Sequence, residues 1–165
     1  MHPRAWRIVS RKYVEQAFDG DGARRYGGRW NRKGVAMVYA SQSRALALLE
    51  MLVHDPLLLG DYVFISVSLP DRRQIQRLSP ESLPNDWRRN SALPQLQTIG
   101  GEWIARNQAV ALWAPSLVLP AEFNLLLNPR HPDFSSLIFG QPEAHQVDER
   151  LKQTLMKRFQ PPGKP

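Results

Sequence analysis

The chain has 165 residues, 42% of them hydrophobic, which is enough for one compact domain with a buried core. It contains no cysteine, and this excludes a disulfide scaffold, a cysteine nucleophile and any cysteine-ligated metal site. The formal charge of +7 favours an anionic partner, which is a nucleic acid, an acidic protein or a phosphate-bearing substrate. Because the basic residues are scattered as short pairs such as Arg24-Arg25, charge alone does not choose among these partners.

Targeting and metal-binding signals are weak throughout the sequence. The N-terminus lacks the apolar segment of a signal peptide, and the longest apolar stretch, 45–53, is interrupted by Glu50 and is too short to span a membrane. These features predict a soluble, cytoplasmic protein without membrane contact. The four histidines have no metal-ligand spacing, so we expect no metal site.

Apolar periodicity and turn residues predict a mixed α/β (α+β) chain with a core over about 6–150 and a frayed tail over 160–165. In the first half of the chain we expect a strand over 6–10, a glycine- and arginine-rich loop over 19–31, a strand over 35–40, a helix over 44–54 and a strand over 62–69. In the second half we expect a loop with one helical turn over 79–96, a helix over 98–108 and an extended segment over 109–119. A turn over 128–133 and a strand over 136–139 follow. Ser41 or Ser43 can cap the helix over 44–54, since a hydroxyl oxygen there accepts from an orphan backbone N–H.

The glycine-rich loop contains a candidate phosphate site, Gly27-Gly28-Arg29-Trp30-Asn31. The glycine pair frees the backbone, and the planar guanidinium of Arg29 can bind a pyrophosphate through two hydrogen bonds. Neither standard nucleotide loop fits, because the Lys-Ser/Thr pair of a Walker A loop is missing and Arg25 stands where a dinucleotide fingerprint needs its third glycine. The alternative interpretation is a surface turn with a solvated arginine.

Glu50 is the second candidate, because it is the only acid of the helix over 44–54. The apolar residues of that helix form a very wide face, which predicts that the helix is largely buried. A lone carboxylate on such a helix must pair, change its pKa or face a cavity. The alternative interpretation places Glu50 at a helix edge in water, paired with His54 one turn later.

Two further side chains have both a functional and a structural interpretation. Tyr39 lies in an apolar strand, where a core tyrosine with its hydroxyl at the rim is the alternative to an aromatic contact with a ligand. Ser116 follows Pro115 in an extended segment, where a minor strand hydroxyl is the alternative. No Gly-x-Ser-x-Gly elbow surrounds Ser116, which argues against a hydrolase nucleophile.

Taken together and in order, these motifs resemble the RES domain family, the toxins of bacterial toxin–antitoxin pairs. The resemblance runs from about Trp6 to Asp133. The motifs that carry it are Gly-Gly-Arg-Trp-Asn at 27–31, Val-Tyr-Ala-Ser at 38–41, Ala-Leu-Ala-Leu-Leu-Glu at 45–50, Gly100-x-x-Trp103, Pro-Ser-Leu-Val-Leu-Pro at 115–120, Asn124, and Asn-Pro-x-His-Pro at 128–132. The arginine, glutamate and serine that give the family its name correspond here to Arg29, Glu50 and Ser116.

The resemblance implies one RES-type domain over 1–165, with a mixed central sheet and a fold similar to ADP-ribosyltransferase toxins. It implies that NAD is the substrate, with no prosthetic group, and that the nicotinamide–ribose bond is cleaved with water or phosphate as acceptor. Growth arrest would follow from NAD depletion. The implied partner is an Xre-like helix-turn-helix antitoxin, which would make any contact with DNA.

The resemblance also implies a set of site residues. We expect Glu50, Arg29 and Ser116 to be catalytic, and the substrate-binding set to be Arg29, Tyr39, Gly28, Ser116 and Asn128. In this interpretation Glu50 stabilises the positive charge at the ribose, Arg29 holds the pyrophosphate, and Tyr39 stacks on the nicotinamide. Ser116 would hydrogen-bond the ribose or the amide. The alternative functions are mono-ADP-ribosylation of a protein and non-catalytic binding of a nucleotide or nucleic acid.

Overall fold

A mixed β-sheet organises the computed structural model, which describes residues 3–55, 60–69 and 75–159. Its strands are β1 (Arg4–Ser10), β2 (Val38–Ser41), β3 (Tyr62–Ser68), β4 (Ile75–Arg77), β5 (Ala111–Pro115), β6 (Phe123–Leu127), β7 (Ile138–Phe139) and β8 (Glu143–Ala144). The order is β4-β5-β6-β2-β1-β3-β7, and β8 also pairs with β3. Of the described pairings, β4 with β5 is parallel and the others are antiparallel. The predicted α/β class with a mixed central sheet is confirmed.

Four α-helices accompany the sheet in the described ranges. They are α1 (Asp21–Tyr26), α2 (Arg44–His54), α3 (Leu93–Arg106) and α4 (Glu149–Phe159). The bounds predicted for α2 are confirmed, and Ser43 is its cap, since the Ser43 hydroxyl accepts from the Leu46 N–H at 3.0 Å. No helix in these ranges is long and apolar enough to cross a membrane. The tail predicted to be frayed, 160–165, lies outside the described residues.

Several predicted elements need correction. The loop over 19–31 contains α1, and α3 begins at Leu93 rather than at residue 98 because Pro94 in the first turn favours a helix start. The strand predicted over 35–40 is shorter, and the segment over 109–119 is extended only as β5. Strand β6 was not predicted, because Leu125 and Leu127 pack on one face and Leu126 on the other, which removes the apolar–polar alternation.

Helix α2 is buried on one side only, which corrects the prediction of a largely buried helix. Leu46 and Ala47 are buried, and Ala47 packs with Ile8 of β1. On the opposite side Leu49 is exposed and Val53 is 62% exposed. The predicted apolar face is therefore wider than the surface that the sheet covers.

Helix α3 packs very closely against the loop that joins α1 to β2. A Cβ atom on Gly100 would overlap the carbonyl oxygen of Trp30, whereas a Cβ on the neighbouring Gly101 would have nothing within 4 Å. The side chain of Gln97, also on α3, donates to the Gly28 carbonyl at 3.0 Å. Helix α3 thus fixes the backbone of the glycine–arginine loop from behind.

We expect Gly100→Ala to destabilise the protein by about 1–3 kcal/mol, because the new methyl group displaces the Trp30 backbone. Gly101→Ala is the matched control and should be stabilising by about 0.5–1 kcal/mol, since alanine favours a helix and the space is open. Denaturant unfolding of both variants measures the difference. Equal stability of the two variants would contradict the close approach of α3 to Trp30.

Candidate active site

A cleft of about 870 Å³ opens where β1 and β2 separate. Strand β1 pairs with β3 along its whole length but with β2 only at Trp6, which faces Ser41. Beyond that position the two strands diverge, and the walls of the cleft come from β1, β2, α1 and α2. A concave site of this size suits a ligand as large as a dinucleotide.

Glu50 lies in the wall of this cleft and is held by two side chains. Its Oε1 accepts from the Ser116 hydroxyl at 2.7 Å and from the Asn124 Nδ2 at 2.6 Å. Asn124 is oriented in turn by Ser41, whose hydroxyl donates to the Asn124 Oδ1 at 2.7 Å. No described residue donates to Oε2 of Glu50, so this oxygen is available to a ligand. Glu50 bonds these groups rather than His54, which also lines the cleft.

Ser116 is fully buried and lies behind Glu50. Its hydroxyl donates to Glu50 and accepts from the backbone N–H groups of Val118 and Leu119, both at 3.1 Å. One donor and two acceptor positions are all that a serine hydroxyl has. The structure therefore places Ser116 as a positioning residue for Glu50. The expected contact of Ser116 with the ribose or the amide stays a prediction. To make that contact, the Ser116 hydroxyl would have to give up one of these three hydrogen bonds.

Tyr39 and Gly28 meet on another wall of the cleft. The Tyr39 hydroxyl donates to the Asn31 Oδ1 at 2.6 Å and accepts from the Trp30 N–H at 3.1 Å, and burial raises the pKa of Tyr39 far above its usual value. A Cβ on Gly28 would lie 2.6 Å from the Tyr39 hydroxyl oxygen, so only glycine fits there. The two hydrogen bonds fix the Tyr39 hydroxyl beside the glycine pair, and Tyr39 lines the cleft while it also packs against the core.

Arg7 is a cleft residue that the sequence analysis missed. Its Nη1 donates to the Tyr39 carbonyl at 2.5 Å, across the gap between β1 and β2, while its Nε is buried without a partner. Burial lowers the pKa of Arg7 to about 10, an effect that Asp19 partly offsets, so the side chain is cationic at neutral pH. Strand β1 contains two arginines, Arg4 at its first residue and Arg7 between Trp6 and Ile8, and the sequence alone does not show which of them enters a cleft.

Arg29 and Asn128 do not line the cleft. The Nη2 of Arg29 donates to the Asn90 Oδ1 at 3.4 Å, and its Nη1 is buried without a partner. Asn128 is buried, its Nδ2 donates to the Asn107 Oδ1 at 2.8 Å, and its Oδ1 accepts from the Arg130 N–H at 3.0 Å. The structure thus brings Glu50, Tyr39 and Gly28 together around the cleft, but leaves Arg29 and Asn128 outside its lining.

Within the described ranges, no group of three or more His, Asp or Glu side chains lies close enough to hold a metal ion. The lining of the cleft combines carboxylates, guanidinium groups and aromatic rings, among them the carboxylate of Glu50, the buried guanidinium of Arg7 and the ring of Tyr39. These groups suit a ligand that carries an anion, an aromatic ring and a centre that becomes positively charged.

Comparison with known proteins identifies the class of protein that this fold and site define. The model of the RES domain family matches residues 4–148. Toxin Res of Yersinia enterocolitica is 40% identical over 150 residues, which cover 89% of this chain and 98% of that protein. The Prs ADP-ribosylating toxin of Sphingobium sp. is 39% identical over 153 residues, 88% of this chain and 94% of that protein. The chain belongs to the RES domain family, and it is a toxin of the toxin–antitoxin kind.

The fold is shared with a solved toxin structure. A chain in the crystal structure of the M. tuberculosis MbcT–MbcA toxin–antitoxin complex superposes with a TM-score of 0.72, covering 95% of this chain and 90% of that chain. Only 18% of the aligned residues are identical. The likeness is therefore one of architecture, and it agrees with the mixed α/β fold that the family resemblance implies.

We expect Asn128→Ala to destabilise the protein by about 1–3 kcal/mol, because the substitution removes the two bonds that the buried Asn128 side chain makes with Asn107 and with the Arg130 N–H. NAD binding should change by less than about two-fold, since Asn128 lies outside the cleft lining. Denaturant unfolding and calorimetry measure the two effects. A large loss of NAD affinity in a variant of normal stability would restore Asn128 to the substrate-binding set.

Proposed function

We propose that this toxin consumes NAD by cleaving the bond between nicotinamide and ribose, as a glycohydrolase or a phosphorylase, and arrests growth through NAD depletion. The observation that carries the proposal is the Glu50 carboxylate, which Ser116 and Asn124 hold by one oxygen while the other is available to a ligand in the cleft. NAD is a substrate here and no prosthetic group is needed. The name of the Sphingobium relative, an ADP-ribosylating toxin, supports a reaction at the same bond.

The chemistry of NAD explains why one carboxylate suffices. The nicotinamide ring is already a cationic pyridinium and departs as a neutral molecule, so the reaction needs no general acid. Most glycosidases, in contrast, need a second carboxyl group to protonate the leaving oxygen. Positive charge develops at the ribose in the transition state, and Glu50 stabilises it by an electrostatic contribution of a few kcal/mol.

Binding of the rest of the substrate is assigned from the cleft lining. Arg7 holds the pyrophosphate, because its guanidinium is the buried cation of the cleft and one of its N–H groups has no protein partner. The ring of Tyr39 packs on the nicotinamide, since its hydroxyl is fixed by Asn31 and Trp30. Arg29, which the family resemblance makes the pyrophosphate ligand, lies outside the lining and is the alternative to Arg7 for this role.

Two alternatives use the same cleft. Transfer of ADP-ribose to a protein is the second candidate, and only the name of the Sphingobium relative favours it. A module that only binds a nucleotide is less consistent with the site, because the binding of an anion has no use for a carboxylate in the cleft. The partner that we propose is an Xre-like antitoxin, which would also make any contact with DNA. Exposed apolar residues close to Glu50 and Ser116 in the sequence are suited to contact with the antitoxin: Leu49, Val53, Val118 and Leu119.

The first test of function is Glu50→Gln, which keeps the acceptor oxygen for Ser116 and Asn124 but removes the charge. We expect turnover, measured as nicotinamide release from NAD, to fall by about 10²–10³ while NAD affinity stays within about two-fold. The melting temperature should stay the same or rise, since a partly buried charge is removed. Assays with and without phosphate distinguish a phosphorylase from a glycohydrolase.

The matched control is Glu102→Gln, which makes the same charge change on the surface of α3, where Glu102 pairs with Arg106. It should release nicotinamide at the wild-type rate and arrest a bacterial host on expression, whereas Glu50→Gln should not arrest it. A Glu50→Gln protein with wild-type turnover contradicts the mechanism. No nicotinamide release by folded wild-type protein in any assay, including one with a protein acceptor, contradicts the enzymatic proposal as a whole.

The second test compares Arg7 with Arg29. Arg7→Ala should weaken NAD binding by about 1.5–3 kcal/mol, the range for a hydrogen bond to a charged group. Arg7→Lys should restore only part of this, because an ammonium lacks the planar fork of a guanidinium. Arg29→Ala should have a smaller effect, since its side chain does not line the cleft. Calorimetric titration with NAD measures all three variants.

Melting temperatures separate a loss of binding from a loss of structure, because Arg7 also bonds the Tyr39 carbonyl. If Arg29→Ala loses as much affinity as Arg7→Ala at an unchanged melting temperature, Arg29 is the pyrophosphate ligand. If neither variant loses affinity, the anion of the substrate is bound elsewhere.

A further inference from the structure

Tyr26, the last residue of α1, is an exposed aromatic side chain in the lining of the cleft. It is 77% exposed, more than any other large hydrophobic residue of the described chain. Neither a hydrogen bond nor an aromatic contact to another described residue engages its ring. An unpartnered tyrosine at the mouth of a cleft presents a flat apolar surface to a ligand.

The backbone that carries Tyr26 is nevertheless well fixed. Asn31, which is completely buried, donates from its Nδ2 to the Ala23 carbonyl at 2.8 Å, and this bond ties α1 to the following loop. The Gly34 N–H donates to the Arg24 carbonyl at 2.8 Å. Because the Oδ1 of Asn31 accepts from the Tyr39 hydroxyl, a single side chain fixes both α1 and Tyr39. The Tyr26 ring is therefore mobile about its own torsions only.

The chain itself relates Tyr26 to Glu50. Tyr26 precedes Gly28 by two residues, and Gly28 abuts the hydroxyl end of Tyr39. Tyr39 lies two residues, or about 7 Å, before Ser41 along β2, and Ser41 reaches Glu50 through Asn124. Along this series of contacts Tyr39 stands between Tyr26 and Glu50, and all three residues line the cleft.

We propose that Tyr26 stacks on the adenine ring of the substrate and fixes the end of NAD that does not react. This inference rests on the proposed function, because the bond that breaks must lie at Glu50 and the nicotinamide beside Tyr39. The adenine then extends toward α1, where Tyr26 is available. Stacking on an aromatic side chain tolerates any base and adds affinity without a hydrogen-bond code.

Tyr13 is the other exposed tyrosine of the cleft lining, at 52% exposure. The ammonium of Lys12 lies 4.7 Å from the centre of the Tyr13 ring and covers one of its faces. Tyr26 is 77% exposed, and no cation or aromatic ring of the described residues lies against its ring. Tyr26 is therefore assigned as the stacking residue, and Tyr13 offers a matched control of the same residue type in the same cleft.

The kinetic test uses two substrates, NAD and nicotinamide mononucleotide, which lacks the adenylate. Tyr26→Ala should raise the KM for NAD by about 5- to 150-fold, the range for one stacked base, with little change in kcat. The KM for nicotinamide mononucleotide should not change. Tyr26→Phe should retain the wild-type KM for NAD, because the ring and not the hydroxyl makes the contact, and Tyr13→Ala should resemble the wild type.

A binding test separates this inference from the proposed reaction. ADP-ribose is the part of the substrate that carries the adenine. Calorimetry should show that Tyr26→Ala weakens the binding of ADP-ribose by the same factor by which it raises the KM for NAD. Tyr13→Ala should bind ADP-ribose with wild-type affinity. If ADP-ribose binds through Tyr26 but no nicotinamide is released from NAD, the proposed function fails and the adenine contact stands. The inference is overturned if wild-type protein binds no ADP-ribose or if Tyr26→Ala binds it with wild-type affinity. It is also overturned if Tyr26→Ala raises the KM for NAD and the KM for nicotinamide mononucleotide by the same factor.

Discussion

The bonds that Glu50 accepts from Ser116 and Asn124 are the constraint on which the site depends. They join α2 to the turn after β5 and to β6, which are distant in sequence. Asn124 reaches Glu50 because the β2–β6 register sets it opposite Ser41, whose hydroxyl orients its amide. A shift of that register by one residue would turn Asn124 to the other face of the sheet and remove this donor. The position of the carboxylate is therefore a property of the whole sheet rather than of α2 alone.

The divergence of β1 from β2 has a cost that Arg7 offsets. Strands that separate leave backbone groups without ladder partners, and an unpaired buried carbonyl is unfavourable. Arg7 donates to the Tyr39 carbonyl across the gap and so satisfies a backbone group that the separated strands leave unpaired. The same side chain therefore compensates for the opening of the cleft and places a cation in it. Its Nε stays buried without a protein partner, which leaves the anionic part of a ligand as the natural acceptor.

Local signals made some of these features predictable and others not. The bounds of α2 follow from its periodicity and the Ser43 cap, and Glu50 was found because it is the one acid on an apolar helix. Strand β6 escaped notice because leucines buried on both faces show no alternation. Arg7 escaped because its position in a cleft depends on how two strands separate, which no local pattern records. The roles of Arg29 and Ser116 came from the family resemblance, which does not tell a residue in the cleft from one behind it.

The site is already organised before any substrate arrives. Glu50, Tyr39 and Arg7 are each held by hydrogen bonds to other parts of the protein, so little reorganisation remains to be paid for on binding. On the proposed function, such a site is competent as soon as the chain is folded, because neither a metal nor a prosthetic group has to be acquired. A host that makes this toxin must then control it from outside, by covering the cleft. The need for an antitoxin follows, in this view, from the same preorganisation that makes a single carboxylate sufficient for the reaction.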